Sequence, residues 1–169
     1  EMWPHVWQMA CREEEIPEPG DHHVYWIIDR SVIVTRTPSG EIKGFINSCR
    51  HRGRCLRDES GSVDKFRCPF HGATWDLDGQ FKGIPNDWDF EHIAERDMSL
   101  PQVKVGTWGG FVFINFDLNC APLEDYMEIL PDHFKRFPLE EYFTGVHVQR
   151  VMNCNWKVGA EAFMESWHT

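Results

Sequence analysis

Short runs of apolar and β-branched residues follow one another in the first third of the chain. Three such runs cover residues 24–28, 31–36 and 42–47, and the turn signals Asp29-Arg30 and Pro38-Ser39-Gly40 separate them. Runs of this length, punctuated by turn residues, are typical of antiparallel strands joined by hairpins. The pattern therefore predicts a meander of three strands.

Further hairpins are predicted downstream. Residues 75–81 carry the turn signal Asp78-Gly79, and residues 100–105 and 111–116 flank a glycine-rich turn. Asp-Gly and Gly-Gly steps between apolar runs are the strongest short-range signals for hairpins. Up to about residue 118, the sequence predicts a small all-β domain.

The pattern changes at Pro122. Residues 123–130 have apolar positions at helical spacing, with Pro122 as the predicted first helical residue. Residues 141–151 alternate in the manner of a strand, and residues 156–168 are predicted to form a helix. A short α+β segment is therefore expected after the β domain.

Composition and charge exclude several classes of function. The chain has 169 residues, of which 41% are hydrophobic, so it can bury a real core. Its net charge of −10 argues against non-specific binding of nucleic acid, which needs a basic face. It has neither an apolar run of about 18 residues nor a signal-peptide pattern. We expect a reducing, cytoplasmic setting.

Two of the six cysteines have a histidine at the spacing of metal ligands. Cys49 stands two positions before His51, Cys68 stands three positions before His71, and 16 residues separate the two pairs. The other cysteines have no such partner and are expected to be ordinary thiols, although three disulfides would also account for six cysteines. These other cysteines are Cys11, Cys55, Cys120 and Cys154.

Two thiolates and two imidazoles could bind one zinc ion or a [2Fe–2S] cluster of the Rieske type. Zinc sites usually take like ligands from each close pair, whereas each pair here supplies one Cys and one His. A Rieske centre needs that arrangement, with two thiolates on one iron and two imidazoles on the other. Gly53 and Gly72 follow the pairs and would let the backbone approach the cluster. We favour the Rieske centre and keep structural zinc as the alternative.

The motif Cys-X-His-X16-Cys-X2-His is similar to that of Rieske proteins, and it resembles the oxygenase and ferredoxin branch in particular. The respiratory-chain branch carries an extra Cys in each loop, and a Ser and a Tyr that hydrogen-bond the cluster. Phe70, Ala73 and Trp75 stand at those second-loop positions here, so Cys55 lacks a partner. Fewer such bonds imply a low reduction potential. The ligands that the resemblance implies are Cys49, His51, Cys68 and His71.

The end of the chain, beginning at Asn155-Trp156-Lys157, resembles the opening of the catalytic domain in α (large) subunits of ring-hydroxylating oxygenases. The resemblance implies that His168 is the first His ligand of a mononuclear Fe(II) site. It also implies that Glu165 bridges this iron site and His71 of a neighbouring subunit. With Glu161, both are expected on one helix face. Taken singly, Glu165 could be a solvated helix residue and His168 an ordinary histidine.

The resemblance implies the Rieske-containing portion of an enzyme, a ring-hydroxylating dioxygenase or monooxygenase. Such an enzyme takes electrons from a reductase or ferredoxin, activates O2 at the Fe(II) site and hydroxylates an aromatic or similar apolar substrate. It is expected to assemble as an α3 trimer or as α3β3 with a small subunit. The alternative is a stand-alone Rieske ferredoxin-type electron carrier with an unusual C-terminal extension; residues 119–169 discriminate, because this alternative would leave Glu165 and His168 without a purpose.

The expected fold is mainly β. A small antiparallel Rieske domain is followed by a short α+β segment that begins a catalytic domain of the helix-grip type. We divide the chain into an N-terminal approach segment with the first strands (1–37), the Rieske core (38–118) and the truncated start of the catalytic domain (119–169). Residues 2–11 are aromatic and apolar and should pack on the rest. The second iron His and the carboxylate ligand are expected beyond Thr169.

Overall fold

A computed structural model describes residues 2–90, 93 and 96–168 of the chain, without the side chain of His168. The strands are β1 (Gln8–Arg12), β2 (Asp21–Ile27), β3 (Arg30–Arg36), β4 (Ile42–Ile46), β5 (Gly61–Ser62), β6 (Phe66–Arg67), β7 (Thr74–Trp75), β8 (Phe81–Gly83), β9 (Gln102–Trp108) and β10 (Phe111–Asn115). The α-helices are α1 (Leu123–Met127), α2 (Leu130–Phe134) and α3 (Trp156–Glu161).

One antiparallel sheet of seven strands has the order β1-β10-β9-β4-β3-β2-β5, and β6, β7 and β8 form a second sheet. The predicted meander is confirmed, since β2 pairs with β3 and β3 pairs with β4. Side chains of β3 alternate between two hydrophobic clusters: Val32 and Val34 enter one, and Ile33 enters the other. The larger sheet therefore has a core on both faces at β3.

The predicted hairpin of residues 100–105 and 111–116 is confirmed by the pairing of β9 with β10. The sequence pattern missed β1, which pairs with β10 at the edge of the sheet. A register shift between Met9 and Cys11 leaves Ala10 and Cys11 buried in succession. Such a bulge breaks the period-two alternation on which strand prediction depends.

The small second sheet packs on the large one. Its β7–β8 hairpin confirms the turn predicted at Asp78-Gly79. Trp75 of β7 is fully buried, and its Nε1–H donates to the carbonyl oxygen of Met98 at 2.7 Å. The same hydrophobic cluster contains Ile33 of β3 and Phe45 of β4. This shared core fixes one sheet against the other.

The helix predicted over residues 123–130 ends early. Leu123 and Met127 of α1 are buried against Trp7, which gives the segment a packing partner. Glu128 then adopts a positive φ of +50°, which ends the helix, and α2 begins two residues later. Pro122 is the N-cap of α1 rather than its first helical residue.

The strand predicted over residues 141–151 is wrong. Residues 142–155 are all described, and they contain neither helix nor strand. Their apolar side chains, among them Phe143, Val148 and Val151, are largely exposed. A β-strand is stable only when a neighbouring strand takes up its backbone hydrogen bonds, and this segment has none within the described chain.

The helix predicted over residues 156–168 is also shorter than expected. Helix α3 ends at Glu161, and a separate 3-10 turn covers Ser166–His168. The helix face that Glu161, Glu165 and His168 were expected to share is therefore not formed. Helices of fewer than about 12 residues depend on tertiary packing, and α3 has no buried residue.

The described chain is mainly β, as predicted, and its helices are short. Among the helices within the described ranges, none combines the length and apolar character needed to cross a membrane. Strand pairing between β3 and β4 joins residues on both sides of position 37. The division of the chain into three parts stays a prediction.

A buried histidine connects the two sheets. His22 of β2 is 1% exposed, and its ring meets Phe66 of β6 edge-on, with centroids 5.9 Å apart. Arg57 donates from Nε to Nε2 of His22 at 3.1 Å, so the ring carries its proton on Nδ1, facing the Gly20 carbonyl. Burial, aided by the Arg57 charge, lowers the pKa of His22, although the Gly20 carbonyl acts in the opposite direction.

We expect the stabilisation from neutral His22 to be lost in acid. Because its pKa in the folded chain lies below the ordinary value of 6.5, the unfolded chain takes up the proton first as the pH falls. The free energy of unfolding is then highest above about pH 6.5 and declines below it. Urea unfolding at about pH 7.5 and about pH 5.5 should show a smaller decline for His22→Gln than for the unsubstituted chain. Equal declines would contradict this assignment.

A second prediction concerns the contact between the sheets at Gly79. This glycine has a φ of +76°, and a Cβ there would collide with the ring of Phe45, whereas Gly40 has a φ of +85° and open space around it. Gly40→Ala should cost about 1 kcal/mol through backbone strain alone. Gly79→Ala should cost about 3 kcal/mol, because overpacking of the core adds to that strain. Urea unfolding of both variants measures the difference, and equal losses would refute the role of the Phe45 contact.

Candidate metal centre

Two loops with the same backbone design carry the candidate ligands. The first loop leaves β4, and the second connects β6 to β7. In the first, the N–H of Cys49 donates to the carbonyl of Arg54 at 2.8 Å. In the second, the N–H of Cys68 donates to the carbonyl of Ala73, also at 2.8 Å. Each loop is thus a closed six-residue turn that begins with a cysteine.

A glycine completes each turn. Gly53 and Gly72 donate their N–H groups to the carbonyls of Cys49 and Cys68, at 2.9 and 3.0 Å. Their φ angles are +73° and +76°, a left-handed conformation that glycine adopts without strain. A Cβ at Gly72 would also lie 2.9 Å from the Pro85 ring. The glycines, expected to allow close approach to the metal group, are accounted for by turn geometry and, at Gly72, by this contact.

The two candidate imidazoles meet at the surface. The Nδ1 atoms of His51 and His71 are 3.2 Å apart, and both side chains are exposed. Phe70 stacks on His71 with ring centroids 3.9 Å apart and an interplanar angle of 26°. Phe70 is itself 62% exposed. This contact was not predicted from the sequence, where its one signal is an aromatic residue next to the histidine.

The two candidate thiols meet on the inner side of the loops. Cys49 and Cys68 are 5% and 3% exposed and belong to the same hydrophobic cluster as Trp75. They are close enough to influence each other's ionisation. The loops therefore separate the four side chains by type: the two thiols lie together on the inner side, and the two imidazoles lie together at the surface.

The environment separates the two thiols electrostatically. Burial, with Cys68 alongside, raises the pKa of Cys49 above its ordinary value. Burial also opposes ionisation of Cys68, but the backbone N–H groups of Phe70 and His71, the neighbouring Cys49 thiol and the charge of Arg54 outweigh it. The pKa of Cys68 is therefore lowered, which favours the thiolate, the form that binds metal.

The donor set fits a [2Fe–2S] cluster of the Rieske type, which takes one pair of thiolates and one pair of imidazoles. Two nitrogens that bind one metal ion at about 2.1 Å each in a tetrahedral arrangement lie about 3.4 Å apart. The Nδ1 atoms of His51 and His71 are close to that separation, at 3.2 Å. Within the described residues, no three His, Cys, Asp or Glu side chains form a group for a single metal ion.

Polar groups near the second loop are already engaged. Trp75 Nε1–H is bonded to Met98, and the Thr74 hydroxyl donates to the carbonyl of Gly72 at 2.9 Å. Ala73 has no donor in its side chain.

Cys55 is a free thiol whose Sγ lies 3.2 Å from the Arg57 carbonyl. All six cysteines of the chain are free thiols.

The candidate residues at the chain end are only partly described. Glu165 accepts a hydrogen bond from the backbone N–H of Trp167 at 3.3 Å and is exposed. The backbone of His168 belongs to the 3-10 turn Ser166–His168, but its side chain lies outside the description. Their roles at an iron site stay predictions.

Comparison with known proteins covers both ligand loops. The Rieske [2Fe-2S] domain family matches residues 6–94. The biphenyl 2,3-dioxygenase subunit alpha of Rhodococcus jostii (strain RHA1) is 32% identical in an alignment of 164 positions that covers 93% of this chain and 35% of that protein. The glycine betaine monooxygenase oxygenase subunit of Pseudomonas aeruginosa (strain UCBPP-PA14) is 31% identical, over 99% of this chain and 39% of that protein.

A solved structure agrees with these matches. The apo form of the quaternary ammonium Rieske monooxygenase CntA superimposes with a TM-score of 0.91 and 26% identity, over 98% of this chain and 49% of that one. The chain spans 35% and 39% of the length of the two curated relatives. Since the family match covers more than half of the chain and includes both loops, the chain belongs to the Rieske [2Fe–2S] domain family, and its relatives are Rieske oxygenase subunits.

Proposed function

We propose that this chain is the electron-carrying portion of a Rieske oxygenase α subunit. The complete enzyme takes electrons from a reductase or ferredoxin and delivers them to a mononuclear Fe(II) site that activates O2. The observation that carries the proposal is the sorting of side chains in the two loops, with paired thiols inside and paired imidazoles outside. The residues that hold the cluster in this proposal are Cys49, His51, Cys68 and His71.

A bound [2Fe–2S] cluster supplies a one-electron carrier whose potential depends on hydrogen bonds to its sulfur atoms. Ala73 and Trp75 offer no hydroxyl to such atoms, and the indole N–H of Trp75 is bonded to Met98. The Thr74 hydroxyl is bonded to Gly72. Hydrogen-bond donors to the sulfur atoms stabilise the reduced cluster. Because these groups are bonded elsewhere or lack a hydroxyl, they support a low reduction potential.

The exposed imidazoles define the side from which an electron acceptor approaches. His71 is exposed and is backed by Phe70, whereas both thiols lie in the core. In the proposed assembly, Glu165 of a neighbouring subunit accepts hydrogen bonds from His71 and from the iron ligand His168. A carboxylate can accept from both rings at once and fixes their orientation. An α3 or α3β3 assembly brings these residues together.

Charge around the imidazoles suits this contact. The chain has a net charge of −10, but Arg50, Arg52 and Arg54 are exposed on either side of His51. A local positive region steers and orients an approaching carboxylate more than it adds affinity. It therefore supports a carboxylate such as Glu165 as the group that meets the imidazole edge.

We propose an aromatic or similar apolar substrate, because relatives such as biphenyl 2,3-dioxygenase and benzene 1,2-dioxygenase carry such names. A quaternary ammonium substrate is the second candidate, favoured by the glycine betaine relative and by CntA. A stand-alone ferredoxin-type carrier fits less well, since the oxygenase relatives match 93% or more of the chain. We place the protein in a reducing cytoplasm, where its cysteines stay out of disulfides.

The ligand assignment predicts different outcomes for two cysteines near the candidate histidines: Cys68 is three positions from His71, and Cys55 is four positions from His51. Cys68→Ala should abolish the cluster, because one iron loses a thiolate that no neighbouring group replaces. Cys55→Ala is the matched control, since Cys55 directly follows the first turn, its Sγ is bonded to the Arg57 carbonyl, and it is not one of the four candidate ligands. Iron and acid-labile sulfide content, with the EPR signal after reduction, measures the outcome. A Cys68→Ala protein that keeps its iron and signal would overturn the assignment.

The bridging role of Glu165 is testable in the complete enzyme. Glu165→Gln removes the charge that holds two imidazoles, so both metals should stay bound while electron transfer slows about tenfold or more. Single-turnover oxidation of the reduced cluster measures that rate. Glu124→Gln on α1 is a control in an exposed carboxylate away from the loops. An unchanged rate for Glu165→Gln would remove the bridge from the proposal.

A further inference from the structure

We propose that Asn47 is a positioning residue that holds the first ligand loop in place. Its side-chain hydrogen bonds support this loop in the way that strand pairing supports the second loop. The inference rests on the proposed function, because the loop it positions carries the candidate ligands Cys49 and His51. In the sequence, Asn47 is marked only as the end of a predicted strand.

The two loops have the same turn but different supports. The second loop leaves β6 and returns on β7, and these strands pair through Phe66↔Trp75 and Arg67↔Thr74. The first loop leaves β4, but its return segment is not a strand, since residues 47–60 are all described and contain none. The backbone of the return segment therefore needs another source of hydrogen bonds.

The side chain of Asn47 supplies these hydrogen bonds. Its Oδ1 accepts from the N–H groups of Leu56 and Arg57, both at 3.0 Å. Its Nδ2 donates to the carbonyl of Arg57 at 2.6 Å. One primary amide thus accepts and donates as the peptide group of a paired strand would. Asn47 is 4% exposed, so water does not compete for these groups.

The bonded segment is fixed on both sides. Leu56 is buried in the same hydrophobic cluster as Cys49 and Cys68. Arg57 extends from the Asn47 contact to Nε2 of the buried His22. The chain from Asn47 to Arg57 is therefore a ring closed by a side-chain amide, and Cys49 and His51 lie within it. Opening the ring should change how His51 faces His71 without touching the strand-paired second loop.

The buried Asn115 offers a matched control. It ends β10, as Asn47 follows β4, it is 1% exposed, and its Oδ1 accepts a backbone N–H from Asp117 at 2.9 Å. Asn115→Ala should lower stability as any lost buried hydrogen bond does. It should leave the metal group unaffected, because Asn115 holds no ligand loop.

The experiment compares Asn47→Ala and Asn115→Ala in the complete, cluster-loaded protein. Asn47→Ala should shift or broaden the EPR signal of the reduced cluster and speed its loss to a chelator about tenfold or more. Asn115→Ala should keep the unsubstituted signal and rate. An Asn47→Ala protein with the unsubstituted signal and loss rate overturns the inference and leaves the proposed function standing. If the unsubstituted protein shows no Rieske signal, the proposed function fails, and the inference fails with it.

A measurement on the unsubstituted protein covers the case in which Asn47→Ala does not fold. The amides of Leu56 and Arg57 should exchange with deuterium slowly, although no strand pairs with them. The amides of Arg52 and Gly53, in the exposed part of the same loop, should exchange faster, because the Gly53 amide is held only by a hydrogen bond within the turn. Exchange of Leu56 and Arg57 at the rate of unprotected amides overturns the inference without any substitution.

Discussion

The arrangement of the candidate centre depends on packing between two sheets. One ligand loop leaves the seven-stranded sheet at β4, and the other belongs to the small sheet of β6, β7 and β8. Phe45 from the first sheet and Trp75 from the second lie in one cluster with both thiols. Because this core sets one sheet against the other, it also sets the separation of the imidazoles, and the site can be no more ordered than the core beneath it.

Strands with regular alternation and clear turn residues were predictable, as in β2, β3 and β4 and in the β9–β10 hairpin. The bulge at Met9 hid β1, because alternation is the signal and the bulge removes it. The predicted strand over residues 141–151 failed for the opposite reason. It has the alternation of a strand, but no strand in the described part of the chain pairs with it, and pairing depends on tertiary context that no local pattern carries.

The candidate site also has features that could be predicted from the sequence and features that could not. The kinds of donor and their spacing pointed to Cys49, His51, Cys68 and His71 from the sequence, since chemistry and short-range order are written there. The contacts around them were not predictable, because they join distant parts of the chain. The bond from Asn47 to Arg57 spans ten positions, and the bond from Arg57 to His22 spans 35. Neither has a sequence motif.

The exposed ring of Phe70 loses stabilisation by hydrophobic burial but gains some from its contact with His71. Leaving an aromatic side chain 62% exposed forgoes most of its hydrophobic stabilisation, yet stacking on His71 recovers part of it. The stacked ring also covers one face of the imidazole and leaves its edge open. Stacking of this kind favours one orientation of the imidazole, and therefore one direction of its free edge. That preference suits the proposed contact with a carboxylate of a neighbouring subunit, which needs a fixed geometry.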